Sequence, residues 1–216
     1  MSHADLAAAA STFVYALVAL LVIFDPAGTA ALFAALTPHD NRAERAEQAQ
    51  RACLIAFAVL GLFGLAGQGL LEALGITLPA MKVAGGVLLF LTAADMVSAR
   101  GTLRASPEER VAATATDDDI SVFPLAVPLI AGPGAMTTMV LLHGRAGGHW
   151  TGLVAVELAL VAALLVTLAG LLSARLIQRL LGVTGANVIG RVLGVLLAAL
   201  AAEFVIEGVR ETVRLG

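Results

Sequence analysis

Two short stretches carry residues that could do chemistry inside otherwise apolar runs. In VIFDPAGTAALF (22–33), Asp25, Pro26, Gly28 and Thr29 interrupt a hydrophobic sequence. In VPLIAGPGAMTTMV (127–140), Gly132, Pro133, Gly134, Thr137 and Thr138 do the same. A proline removes a backbone donor and clashes with the preceding turn, while glycine permits unusual dihedrals, so each stretch reads as a broken helix. A helix restarting near Gly28 or Gly134 presents unpaired N–H groups and a positive dipole end, both suited to a carboxylate. The threonines add hydroxyls beside those ends. Asp25 adds an acceptor for an ammonium group or a carrier for a coupling proton. The combination suits a small zwitterion. Against it stands the simpler reading that each proline only kinks its helix, with neighbouring groups satisfying the loose carbonyl.

The elements that must position these residues are membrane helices. The chain has 216 residues, 59% hydrophobic and only 13% charged, with mean hydropathy +0.93; soluble domains average about 45–50% apolar and about 25% charged. A net charge of −3 with 5% aromatic residues argues against nucleic-acid partners. Cys53 is the sole cysteine, so the chain has no internal disulfide and no cysteine-pair metal motif; it reads as a small packing residue. The leader MSHADLAAAAST has no Lys or Arg, so the first apolar run is expected to be retained rather than cleaved as a signal. A span needs about 20 apolar residues. Six segments qualify, at about 10–36, 51–72, 77–98, 121–143, 151–173 and 187–208. They are too long and too continuously apolar for barrel strands.

The expected fold is therefore an all-α, multi-pass membrane protein of six transmembrane helices with helices 1 and 4 broken. It forms a single polytopic domain over 1–216. Sliding the chain over itself by a little more than a hundred residues brings Pro26 near Pro133 and Lys82-Val83-Ala84-Gly85-Gly86 onto Arg191-Val192-Leu193-Gly194-Val195. Repeat one would cover about 10–98 and repeat two about 121–210, joined by a cytoplasmic loop at about 99–120. Three spans per half makes the halves inverted, an architecture that lets two copies rock about a midplane site.

The connections carry the remaining signals. In TPHDNRAERAEQAQ (37–50), a turn leads into a helical extension of the second span with Asp40 or Asn41 as cap. In the 99–120 loop, Ser106-Pro107-Glu108-Glu109 resembles a helix start, and Asp117-Asp118-Asp119 reads as a solvated acidic run. Loops 37–50, 99–120 and 174–186, with the adjoining helix ends, hold Arg42, Arg45, Arg51, Arg100, Arg104, Arg110, Arg175, Arg179 and Arg191. The opposite side holds Arg145, Arg210 and Arg214. This asymmetry places both termini outside the cytoplasm.

Other ionisable residues sit at membrane depth. Asp95 and Glu203 join Asp25 as candidates to carry a coupling proton or sodium ion, because an intramembrane carboxylate is expensive and faces a cavity or partner. Lys82 and Arg191 are structural or gating candidates able to snorkel to an interface, together with Gly85, Gly86 and Gly194. Glu157 and Glu207 are expected to be solvated. The glycines at 61, 64, 67, 85 and 86 permit close helix approach.

DPAGTAALFAALT (25–37), LGITLPAMKVAGGVLLFLTAADM (74–96), VFPLAVPLIAGPGAMTTMVLL (122–142) and TGANVIGRVLGVLLAALAAEFVIEGV (184–209) resemble the MarC family of integral membrane proteins, grouped with the lysine-exporter type of transporters. The resemblance spans nearly the whole chain. It implies six spans, a cytoplasmic (inner) membrane location and, from some members, transport of small neutral amino acids. By position, Asp25, Pro26 and Gly28 match the first break of the family and Gly132, Pro133 and Gly134 the second. Lys82, Gly85 and Gly86 match a basic-Gly-Gly pattern, with Arg191 and Gly194 as its counterpart. The chain departs from many members, which carry Asn at the place of Asp25, Pro at that of Ala31 and a neutral polar residue at that of Glu203.

The resulting expectation is a secondary transporter, not an enzyme, that exports a small neutral solute such as glycine, alanine or serine by alternating access. No metal or organic cofactor is expected; the partners are the solute, a coupling proton or sodium ion, membrane lipid, and a second copy of the chain if it is a homo-oligomer. A drug or hydrophobic-compound exporter is an alternative, weakened by the scarcity of intramembrane aromatics. A non-transporting membrane scaffold is another. An intramembrane enzyme is disfavoured, because the four histidines fall at expected ends or loops and no buried nucleophile–base pair is apparent.

Overall fold

The computed structural model describes residues 3–98, 120–147 and 149–215, and every regular element among them is helical. The sequence features at Ser106-Pro107 and Asp117–Asp119 lie outside the described residues. Helix α1 (His3–Phe24) and α2 (Pro26–Leu36) form one broken rod. They are followed by α3 (Arg42–Ala73) and α4 (Leu78–Ser98). Then come α5 (Ser121–Ile130), α6 (Pro133–Arg145), α7 (Trp150–Leu172) and α8 (Ala174–Leu215).

Among the described residues, five stretches are long and apolar enough to cross a membrane: 6–36, 42–73, 78–98, 150–172 and 188–214. The chain is thus an all-helical, multi-pass membrane protein. The fourth expected span, at 121–143, is broken as its prolines and glycines suggest, into α5 with 10 residues and α6 with 13, each too short to count as a span by itself.

The winding of α5 follows from its prolines. Phe123 (φ −132°, ψ 126°) and Val127 (φ −130°, ψ 125°) have extended backbones, and each immediately precedes a proline, whose ring disfavours α dihedrals in the residue before it. The turns therefore widen to i→i−5 bonds: Leu125 N–H donates to Ile120 O at 3.2 Å and Ala131 N–H to Ala126 O at 2.8 Å. Such wide turns occur mostly as local bulges rather than as whole helices.

The α3 start is as expected. Asn41 caps the N–H groups of Ala43 and Glu44, and Glu44 returns a bond to the Asn41 N–H, a complete capping box. The 174–186 segment is different: it is not a loop, because α8 runs unbroken from Ala174 through it. Its Leu, Arg, Ile and Gln residues are good or adequate helix formers, and a single non-helical residue, Ser173, separates α7 from α8.

Two buried clusters hold the bundle. The larger joins α1, α2, α3, α5, α6 and α7 around Leu20, Phe24, Phe33, Leu60, Ile130, Met139 and Leu160. The smaller joins α4, α6 and α8 around Leu89, Leu141, Leu197 and Phe204. Leucines and valines also cover the outside of the helices, among them Leu54, Leu65, Leu165 and Val195. That is the pattern of helices solvated by lipid rather than water. Glycines set the closest approaches. A Cβ on Gly85 would lie 1.8 Å from Thr137 Cγ2, and one on Gly67 would lie 2.4 Å from Val140 Cγ2, so α6 sits directly against the backbones of α3 and α4.

Candidate functional site

The first break is built by one residue. Asp25 is the only non-glycine residue with positive φ among the described residues (φ 43°, ψ 69°). Aspartate tolerates this left-handed region better than most side chains. Pro26 then occupies the first helical position, where its missing N–H costs nothing. The Asp25 carboxylate accepts from Gly28 N–H at 3.0 Å, while Asp25 O accepts from Thr29 N–H at 2.8 Å. The Phe24 carbonyl, left without its ordinary helical partner, is met by the Thr29 hydroxyl at 2.6 Å. Asp25 and Thr29 are both buried.

The second break has the same order of parts and a different cap. Gly132 is extended (φ −75°, ψ 169°) and Pro133 again takes the first helical position, but no side chain caps α6. Thr137 and Thr138 donate to Pro133 O (2.9 Å) and Gly134 O (2.8 Å). All three threonine hydroxyls therefore donate to backbone carbonyls at the breaks and keep acceptor lone pairs to offer.

The surroundings of the breaks are small-residue surfaces. A Cβ on Gly170 of α7 would lie 3.1 Å from Pro26 O, and one on Gly190 of α8 would lie 3.9 Å from Asp25 Oδ2. A Cβ on Gly134 would lie 2.5 Å from Leu89 Cδ2 of α4. Phe24 and Ala30 around the first break and Ile130, Ala131 and Ala135 around the second belong to one buried cluster. The fold thus brings both breaks into a shared interior. Two apolar clefts lie elsewhere: one of about 280 Å³ between α3 and α7 beside Cys53, and one of about 480 Å³ between α1 and α7 beside Trp150.

The remaining candidates are dispersed. Asp95 is half-buried on α4, while Glu203 and Arg191 are exposed on α8. Gly85, Gly86 and Gly194 are buried at helix contacts. Lys82 does not snorkel free: it is 5% exposed and bonds Glu211 at 2.5 Å and Glu207 at 3.4 Å. Arg145 also pairs with Glu207 and stands over the rings of Tyr15 (5.1 Å) and Phe204 (5.7 Å). Burial works against the Arg145 charge, yet Glu207 and Tyr15 hold its pKa above the ordinary arginine value. Glu207 is thus not simply solvated, but forms the hub of a network joining α1, α4, α6 and α8. Its spacing from Glu211 puts two carboxylates on one helix face, but nothing in that spacing says that the face meets Lys82. Beside Arg145, a pocket of about 290 Å³ is lined by Ser11, Thr12, Tyr15 and Leu142.

His143 lies in the last turn of α6, at the end of the expected span, but it is buried there, 3.0 Å from Glu157 of α7. Among the described residues, no group of three or more His, Cys, Asp or Glu side chains could hold a metal ion. Cys53 is buried, with its thiol 3.9 Å from Leu164 O.

Residues 10–213 match the model of the MarC family integral membrane protein. A UPF0056 membrane protein of Archaeoglobus fulgidus is 37% identical over 207 residues, covering 96% of each chain. The UPF0056 inner membrane protein MarC of Citrobacter koseri is 32% identical, covering 92% of this chain and 94% of its own. The protein of the same name from Salmonella typhimurium is 31% identical over the same shares. No solved structure matches the chain significantly.

Proposed function

The chain belongs to the MarC family of integral membrane proteins, and from that premise we propose that it is an inner-membrane secondary transporter exporting small neutral solutes, in the first instance glycine, alanine or serine. One observation carries the reading: two helix breaks, each restarting on a proline, lie in one buried cluster, and the second restart has no side-chain cap. At α2 the Asp25 carboxylate already occupies the electropositive helix end. At α6 that place is left to a solute carboxylate, which the N–H groups of Gly134 and Ala135 and the helix dipole would receive. The ammonium group of the solute would meet the lone pairs of Thr29, beside the negative charge of Asp25.

Alternating access asks for two halves of opposite sense, and the packing of α4 on α8 supports that reading. A Cβ on Gly86 would lie 2.8 Å from Ala201 O and 2.7 Å from Val205 Cγ2. A Cβ on Gly194 would lie 3.3 Å from Ala93 O and 3.1 Å from Val97 Cγ2. Gly86 and Gly194, Ala93 and Ala201, and Val97 and Val205 are each 108 positions apart, and the same atoms are met in both directions. Reciprocal contact of this kind is what a two-fold axis produces. It pairs Gly194 with Gly86 rather than Gly85. In this reading α5 and α6 together make the sixth crossing, and the halves meet on α4 and α8. The Lys82–Glu207–Arg145 network closes the outer end, with both chain termini on that side.

Counterflow in proteoliposomes tests the reading. Vesicles loaded with unlabelled glycine, alanine or serine are expected to accumulate the labelled solute transiently. Absence of exchange for all three, with protein that is monodisperse and correctly inserted, would overturn it.

A further inference from the structure

A buried pair on α6 and α7 has a property that its geometry alone dictates. His143 Nδ1 lies 3.0 Å from Met139 O. A carbonyl only accepts, so Nδ1 carries the hydrogen. Nε2 lies 3.0 Å from Glu157 Oε1. In a neutral imidazole protonated at Nδ1, Nε2 is a bare lone pair, and an ionised carboxylate offers only lone pairs. Two such atoms at this separation in a bundle interior repel. Neither Nε2 nor Oε1 has a hydrogen-bond partner, so the oxygen stands off the ring's N–H direction and the pair meets by charge rather than by a proton shared in line. One proton on the pair turns an uncompensated buried carboxylate into an ion pair or a neutral acid.

The site around the pair is made by glycines. A Cβ on Gly64 of α3 would lie 2.5 Å from the His143 ring carbon Cε1, and one on Gly61 would lie 3.7 Å from Glu157 Oε2. The other charges near α6 are engaged elsewhere. Arg145 turns to Glu207 of α8 and Tyr15 of α1, and Lys82 of α4 turns to Glu207 and Glu211. Glu72 of α3 and His149 before α7 are exposed. The His143 side chain is 4% exposed but that of Glu157 is 25% exposed, which gives a proton a way in from one side.

We propose that His143 and Glu157 bind the coupling proton of the transport cycle, a deepening that rests on the transport reading above. With the proton in place, α6 is tied to α7. When it leaves through Glu157, the attraction between the two side chains is lost and the helices part. α6 is only 13 residues long, so this motion reaches its start at Gly134, where the solute carboxylate would sit.

Two measurements test the proposal. In proteoliposomes, the wild type is expected to accumulate solute under a pH gradient, and Glu157→Gln to lose that response, judged as the ratio of gradient-driven accumulation to counterflow. A wild-type ratio in the variant would overturn the proton site. Should either protein show no exchange at all, the site is decided by 15N spectroscopy of histidine-labelled protein in lipid, with His143 assigned by His143→Gln. A wild-type Nε2 resonance displaced from the bare-nitrogen position and restored to it by Glu157→Leu supports a proton held by the pair, and an Nε2 resonance indifferent to Glu157 overturns it. Failure of exchange in the wild type counts against the transport reading, and the nitrogen spectrum counts for or against the pair.

Discussion

At the scale of single residues, Asp25 has two demands on it: a left-handed backbone and an acceptor for Gly28 N–H. Asparagine meets both, glycine meets the first and alanine meets neither. Thermal unfolding in detergent is expected to rank Asp25→Asn near wild type, Asp25→Gly slightly lower, and Asp25→Ala about 1–2 kcal/mol less stable. An alanine variant as stable as wild type would mean that the cap contributes nothing. The presence of a break was legible from Asp-Pro in an apolar run. The engagement of Asp25 with its own helix was not, because a carboxylate next to a break looks the same in sequence whether it faces a ligand or its own backbone.

Glycines at this scale divide by what lies opposite them. Gly85→Ala would place a methyl 1.8 Å from Thr137 Cγ2 and should cost about 1–3 kcal/mol by overpacking. Thr137→Ser removes that methyl and should recover part of the loss, seen as coupling in a double-mutant cycle. Gly69→Ala meets nothing within 4 Å and should be neutral or stabilising by up to about 1 kcal/mol. Equal effects at both positions would contradict the packing described.

At the scale of elements, spans and caps were legible where local chemistry decides them: the Asn41–Glu44 box and the long apolar rods follow from short-range rules. Two elements were not. The wide turns of α5 depend on two prolines acting together on Phe123 and Val127, and α8 absorbs a charged stretch that loop composition would have assigned elsewhere. The tie between α4 and α8 was missed because Lys82 and Glu211 are far apart in sequence. Lys82→Met should destabilise by about 1–3 kcal/mol, below the full cost of breaking a buried pair because Glu211 is partly exposed. Glu211→Gln should cost less, since Glu207 remains 3.4 Å from the lysine. Urea or thermal unfolding of the two variants checks the order.

At the scale of the molecule, both breaks and the bundle that encloses them were readable, because proline, glycine and hydropathy act through backbone geometry and solvent. The His143–Glu157 and Lys82–Glu207 pairs were not, since each depends on which helices become neighbours. Sidedness belongs to this scale too. With Cys53 buried, single cysteines on a Cys53→Ala background should report it by labelling intact cells with an impermeant maleimide. His149→Cys should label and His39→Cys should not. The reverse pattern would invert the assigned orientation and with it the direction of the proton path.

The central claim is that solute sits where α6 restarts, and glycine counterflow by Gly134→Leu compared with Gly69→Leu tests it most directly. Both variants add the same side chain, one at the uncapped start of α6 and one facing open space on α3. Because a Cβ at Gly134 also lies 2.5 Å from Leu89 Cδ2, both are made on a Leu89→Ala background that relieves that contact, with Leu89→Ala alone as the reference. With monodisperse protein in both cases, Gly69→Leu should exchange at the reference rate and Gly134→Leu should be slower by about tenfold or more. Exchange by Gly134→Leu at the reference rate would contradict the account.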